Sequence, residues 1–168
     1  MKDRVGETYN TIKGGKLIIT EYHGTNNITV IFDNGTILHN VTYSQISKGT
    51  LGNPMSPSVY DIGFMGMGKY NSKNSEKTHS VWHSMFTRCY DKDYLRRFPT
   101  YNECTVTVEW HNFQNFAEWF ENNYVDGWQH DKDILKKGNK IYSPETCCFV
   151  PKEINYLILR RQSVRGKY

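Results

Sequence analysis

The sequence predicts an α+β protein in two parts: a small N-terminal antiparallel β-barrel, then an α+β module that ends in a β, β, α motif. Short β-branched runs separated by Asn- and Gly-containing turns fill the first 60 residues. Apolar residues at i, i+1, i+4, i+5 and i+8 begin near residue 78 and mark an amphipathic helix. Basic residues then gather in the second half of the chain. At 168 residues there is room for one ordinary domain or two small ones. With 14% aromatic and 38% hydrophobic residues, the core must rest on large rings, and that aromatic content together with a net charge of only +4 argues against a disordered chain.

The elements follow in order. Residues 16–22 and 28–32 are β-branched runs around a turn at 23–27, and Asp33-Asn34-Gly35 supplies the positive φ angles for a second turn into residues 36–41. Gly6, Gly14, Gly15, Gly49 and Gly52 mark the bends of a tightly curled barrel, and residues 1–60 form this module. Tyr9, Tyr22, Tyr43, Tyr60 and Phe64 could stack on unpaired bases or simply fill its core. Residues 61–77 are Gly-rich and polar without apolar period, which reads as a linker.

The second module spans 78–168. Val81, Trp82, Met85, Phe86 and Cys89 form the stripe of a helix from 78 to 90. Residues 92–98 read as basic and irregular, and 104–108 as a short strand. Asn112 can cap a second helix that buries Phe113, Phe116, Ala117 and Phe120. A strand near 131–135, a Gly138-Asn139 loop, a turn at Ser143-Pro144, a strand through Phe149-Val150 and a helix opened by Pro151 complete the β, β, α order.

Charge is unevenly placed. Arg88, Lys92, Arg96 and Arg97 form one cluster, Lys132, Lys136, Lys137 and Lys140 a second, and Arg160, Arg161, Arg165 and Lys167 a third. Each alone is equally consistent with a solvated face, but three in one half point to an anionic partner. Cys89, Cys104, Cys147 and Cys148 match neither a zinc-knuckle spacing nor a secreted disulfide framework and read as reduced, mostly buried thiols. No apolar run reaches the roughly 18 residues of a membrane span, and no signal-type apolar core follows the charged N-terminus, so a cytoplasmic protein without a membrane partner is expected.

The run from Asp131 through Lys132, Asn139 and Cys147-Cys148-Phe149-Val150 to Asn155 resembles the ββα-metal core of the HNH nucleases found widely in phages. Trp82, Met85, Arg88-Cys89-Tyr90, Tyr101, Val106, Trp110 and Phe113-x-x-Phe116 resemble the region before that core, so the likeness covers about 78 to 158. It implies that Asp131 and Asn155 bind a divalent metal and that Asn139 orients the catalytic base. Lys132 stands where the family has its histidine.

A lysine is a cation with a reference pKa of about 10.4, so it cannot take a proton from water at neutral pH, and it favours a phosphate over a metal at its side. His130 next to Asp131 is the other conceivable base, although strand alternation sends neighbouring side chains to opposite faces. His79 and His83, spaced i, i+4, could share a metal or be two surface imidazoles.

The expectation is thus a DNA-binding protein without catalysis. Arg88, Arg96, Arg97, Lys132, Lys136, Lys137, Lys140, Arg160 and Arg161 would contact the backbone, and no cofactor is needed. Two alternatives stand beside it. One is a phage counter-defence protein that binds a host protein or a signalling nucleotide in the bacterial cytoplasm. The other is an active Mg- or Mn-dependent endonuclease that uses Asp131 with His130.

Overall fold

A computed structural model describes residues 3–157, and the chain divides into two units, Met1–Ser58 and Val59–Tyr168. In the first, β1 (Thr8–Thr11), β2 (Gly15–Tyr22), β3 (Ile28–Phe32) and β4 (Ile37–Val41) pair antiparallel in sequence order. The turn forms at the expected place but with positive φ at Gly35 alone, +84°: Phe32 N–H donates to the Thr36 carbonyl at 2.8 Å and Gly35 N–H to the Phe32 carbonyl at 2.9 Å, a three-residue hairpin loop, and Asn34 Oδ1 accepts the Thr36 N–H at 3.1 Å. Alternation along β2 turns Leu17 and Ile19 inward, while Ile18 faces out, aligned across the strands with Ile31 and Ile37.

The sheet is open, which corrects the expected barrel: β1 and β4 are edges and do not pair with each other. Closure would require both edge strands to meet at a common tilt and shear. Here the apolar face is covered another way. Thr42 caps α1 (Tyr43–Ser47) in a reciprocal box with Gln45. The helix brings Ile46 into a core with Leu17, Ile19, Ile28, Val30, Phe32, Val41 and Leu51. With that face sealed, the hydrophobic effect has nothing further to gain from closing the sheet.

The second unit contains α2 (Glu76–Tyr90), α3 (Lys92–Arg97), β5 (Thr105–Val106), α4 (Phe113–Asn123), β6 (Gln129–Asp131), β7 (Ile141–Tyr142) and β8 (Cys148–Val150). Short pairs hold it: β5 lies parallel to β7 and β6 antiparallel to β8, and residues 152–157 are helical. The expected irregular stretch after residue 92 is instead α3, because the Asp91 carboxylate accepts the Tyr94 N–H at 2.7 Å and caps it. Asn112 caps α4 through the Gln114 N–H.

Trp82, Phe86, Trp110, Phe113 and Phe116 are fully buried, and Trp82 Nε1 donates to the Trp110 carbonyl at 2.7 Å. Residues 64–70 run beside α4. Phe64 exchanges backbone hydrogen bonds with His111 and Phe113 at 2.9 Å, and Gln114 Nε2 donates to the carbonyls of Met65 and Tyr70. Gly66 has φ +70°, and a Cβ there would fall on the Asn112 side chain, so this approach requires glycine. Among the described residues no helix is long and apolar enough to cross a membrane.

Candidate nucleic-acid interface

A groove of ≈ 450 Å³ opens in the second unit. Lys77, Val81, Ser84 and Arg88 line one wall. Their spacing of i, i+4, i+7 and i+11 places them on one face of α2, about 16 Å from end to end at the helical rise. The opposite face of that helix carries Trp82, Met85, Phe86 and Cys89 into the core. The other wall is β6 with the turn that follows, from Gln129 to Asp133, and Tyr101, Tyr124, Trp128 and Tyr142 add aromatic surface.

Arg88 is half-buried, and its Nη1 donates to Tyr142 Oη at 3.5 Å. Burial is the largest influence on its guanidinium and opposes the charge. Tyr142, Tyr101 and Tyr94 outweigh it and hold the group above its ordinary range. No carboxylate pairs with Arg88 among the described residues.

Of the two carboxylates that line the groove, one is paired with a cation and the other is hydrogen-bonded to backbone. Asp133 lies 2.7 Å from Lys132 Nζ. Asp131 Oδ1 accepts the N–H groups of Asp133 and Ile134 at 2.7 and 2.9 Å and so fixes the turn after β6.

Lys132 is 6% exposed. Besides Asp133, it donates to the Asn139 carbonyl at 2.9 Å, and its Nζ lies 5.7 and 5.8 Å from the ring centres of Tyr101 and Tyr142. Asn139 donates to the Lys132 carbonyl at 3.0 Å and to the Ile141 carbonyl at 2.6 Å. Asn155 donates to Gln129 Oε1 at 2.9 Å.

His130 points away from this polar set. It pairs with Phe149 across the β6–β8 ladder, and its ring lies 5.4–6.2 Å from those of Trp110, Phe116, Trp119, Tyr142 and Phe149. Part of the residue is accessible, but both ring nitrogens are sealed and have no hydrogen-bond partner among the described residues. Burial, and secondly Arg88, push its pKa down to about 3, so the imidazole stays neutral at physiological pH.

These positions overturn the HNH resemblance. The order β6, β8, helix recurs, but the donor set does not fit a metal: Asp131 braces a turn, Asn155 is tied to Gln129, and His130 lies on the opposite face of the strand from Asp131. Among the described residues no group of three or more His, Cys, Asp or Glu could hold a metal ion. His79 and His83 lie 6.3 Å apart, with His79 packed on Trp82 and Phe113 and no third ligand from the described residues beside them. Burial, and secondly His83, lower the pKa of His79.

The other basic residues separate into engaged and free. Arg96 pairs with Asp93, Arg97 Nε donates to the Asp93 carbonyl, and Lys140 donates to the carbonyls of Thr100 and Asn102 at 2.9 and 3.2 Å. Lys136 and Lys137 are exposed on the turn and have no side-chain partner among the described residues. Arg160, Arg161, Arg165 and Lys167 lie outside the described residues.

Of the tyrosines, Tyr9 and Tyr43 bond each other at 3.2 Å, and Tyr60 donates to Thr87 and Asp91. Lys77 and Trp128 were not singled out by sequence reasoning. The stripe Lys77, Val81, Ser84, Arg88 was legible as a second face of the helix, whereas Trp128, 40% exposed, carried no local signal.

Comparison with protein-family models, curated proteins and solved structures finds no match to this chain, so neither the phage assignment nor the endonuclease assignment has support.

Proposed function

We propose that the second unit binds nucleic acid, with DNA the favoured form, through this groove and the turn that carries Lys136 and Lys137. The observation that supports it best is Arg88, a half-buried guanidinium without a carboxylate partner among the described residues, while Asp133 is paired with Lys132 and Asp131 is held by the turn after β6. A planar fork of donors removed from water gains most from a phosphate, which it can hold through two parallel hydrogen bonds. Tyr101 and Trp128 offer faces for bases, and Lys136 and Lys137 add unpaired charge.

Fluorescence anisotropy with labelled oligonucleotides between about 50 and 200 mM salt tests this reading. Affinity should fall linearly on a log–log plot. Replacing Lys136 and Lys137 by Ala should flatten the slope by about 0.7 to 0.9 for each phosphate that is no longer neutralised. Arg88→Gln should lower affinity. Binding that ignores salt, or that survives all three substitutions, would refute it.

The groove volume favours a second reading, because ≈ 450 Å³ lies in the range of small-ligand sites, about 300–1,000 Å³. A free signalling nucleotide could place its phosphate on Arg88 in the same way. Calorimetric titration with mono- and dinucleotides that gives Arg88-dependent heat, together with no oligonucleotide binding, would select it.

A further inference from the structure

We infer that the groove takes a single-stranded segment of DNA rather than a duplex, laid along α2 from Arg88 towards Lys77 with a base stacked on Trp128. This rests on the nucleic-acid reading above and specifies which form is bound.

Shape is the first argument. To read a duplex, a helix must project far enough to enter the major groove, about 12 Å wide. The face of α2 that carries Lys77 and Arg88 instead lines a recess walled by Gln129 to Asp133, and its opposite face is packed in the core. An unpaired strand can follow such a recess, and a double helix cannot enter it.

Charge is the second. Duplex binders commonly neutralise about six to ten phosphates, whereas among the described residues the proposed surface offers three cations without a carboxylate, Arg88 in the groove and Lys136 and Lys137 on the turn. Lys77 pairs with Asp126 at 3.0 Å, but both side chains are well exposed, and such a pair is weak enough to yield to a phosphate. Two cations at the ends of a roughly 16 Å helix face suit a few phosphates on one strand.

Aromatic placement is the third. Sequence-tolerant single-strand sites combine a cationic track with rings on which bases stack. Trp128 is 40% exposed and lines the groove in a turn closed by its own N–H to the Val125 carbonyl at 3.1 Å. Next to it, Tyr124 is stacked on Phe120 at 4.6 Å, which steadies that rim.

The test compares a labelled oligothymidylate of ~10 nucleotides with a hairpin duplex of similar length. The 168-residue chain is used, with Trp128→Ala, Trp128→Phe and Arg88→Gln variants. The single strand should bind at least about tenfold tighter than the duplex. Trp128→Ala should weaken single-strand binding by about tenfold, and Trp128→Phe, which keeps a ring, should restore most of it.

Because Trp128 is exposed, its two variants should fold, and circular dichroism verifies this for all three proteins. Duplex binding that is equal or tighter, or a Trp128→Ala variant that binds the single strand as wild type does, overturns the inference and leaves the nucleic-acid reading standing. Failure to bind either oligonucleotide overturns both.

Discussion

Lys132 and Asn139 hold each other across the turn between β6 and β7: the lysine ammonium donates to the asparagine carbonyl at 2.9 Å, and the asparagine amide donates to the lysine carbonyl at 3.0 Å. With Asp133 at 2.7 Å, the lysine is a structural cation and not a free phosphate ligand.

Lys132→Met keeps the aliphatic stem but strips Asp133 and the Asn139 carbonyl of their donor. It should cost about 2–3 kcal/mol, because a partly buried acid and a buried carbonyl are left unpaired. Asn139→Ala should cost about 1–3 kcal/mol by freeing two carbonyls and one N–H. The double variant should lose less than the sum by at least ~0.5 kcal/mol, since the two separate bonds close the same turn and losing either one loosens the geometry the other needs. Urea unfolding measures all three, and strict additivity would show that the two residues act separately. In DNA titrations Lys132→Met should leave the salt slope close to wild type, in contrast to the change expected at Lys136 and Lys137.

His130 makes stability depend on pH. Its folded pKa of about 3 lies below the unfolded value of 6.5, so the unfolded chain binds the proton first on acidification. The stabilisation is complete above pH ~6.5 and is lost progressively as pH falls towards about 3. From neutrality to about pH 5 this one group should remove on the order of 2 kcal/mol.

His130→Phe replaces two unpartnered ring nitrogens with carbon among aromatic rings. It should raise stability at neutral pH by about 1 kcal/mol and flatten the acid slope. Chemical unfolding of both proteins at several pH values decides the matter, and an unchanged slope in the variant would remove His130 as its origin.

Much of the secondary structure was legible because local chemistry carried it. The Asn34-Gly35 turn, the apolar stripe of α2 and the Asn112 cap each depend on residues adjacent in sequence. The barrel was not legible as an error, because strand propensity says nothing about whether β1 meets β4. That depends on Ile46 and Leu51 covering the sheet face. α3 was missed because its basic residues masked Asp91 as a cap.

At the site, residue types read in a row suggested a metal motif, but their roles are set by direction. His130 and Asp131 are neighbours in sequence and lie on opposite faces of one strand. Arg88 became the centre of the groove only once Tyr142, more than fifty residues later, was beside it.

The four free cysteines give a test that separates native exposure from opening of the core. Burial pushes the thiols of Cys89 and Cys147 up to about 12 and raises Cys104, all three being buried. Cys148 is half-buried, and its thiol is raised by burial and by Asp131. At about pH 8 a thiol with pKa near 12 is only ~10⁻⁴ ionised, and the thiolate is the reacting form. A chromogenic disulfide reagent should therefore label Cys148 first, and Cys148→Ser should abolish that phase.

Cys89, Cys104 and Cys147 should react together and slowly, because they share one core and become accessible only when it opens. Adding urea below the unfolding midpoint should accelerate this slow phase and leave the Cys148 phase unchanged. Rapid labelling of Cys89 or Cys147 without denaturant would mean that the aromatic core is not closed around them.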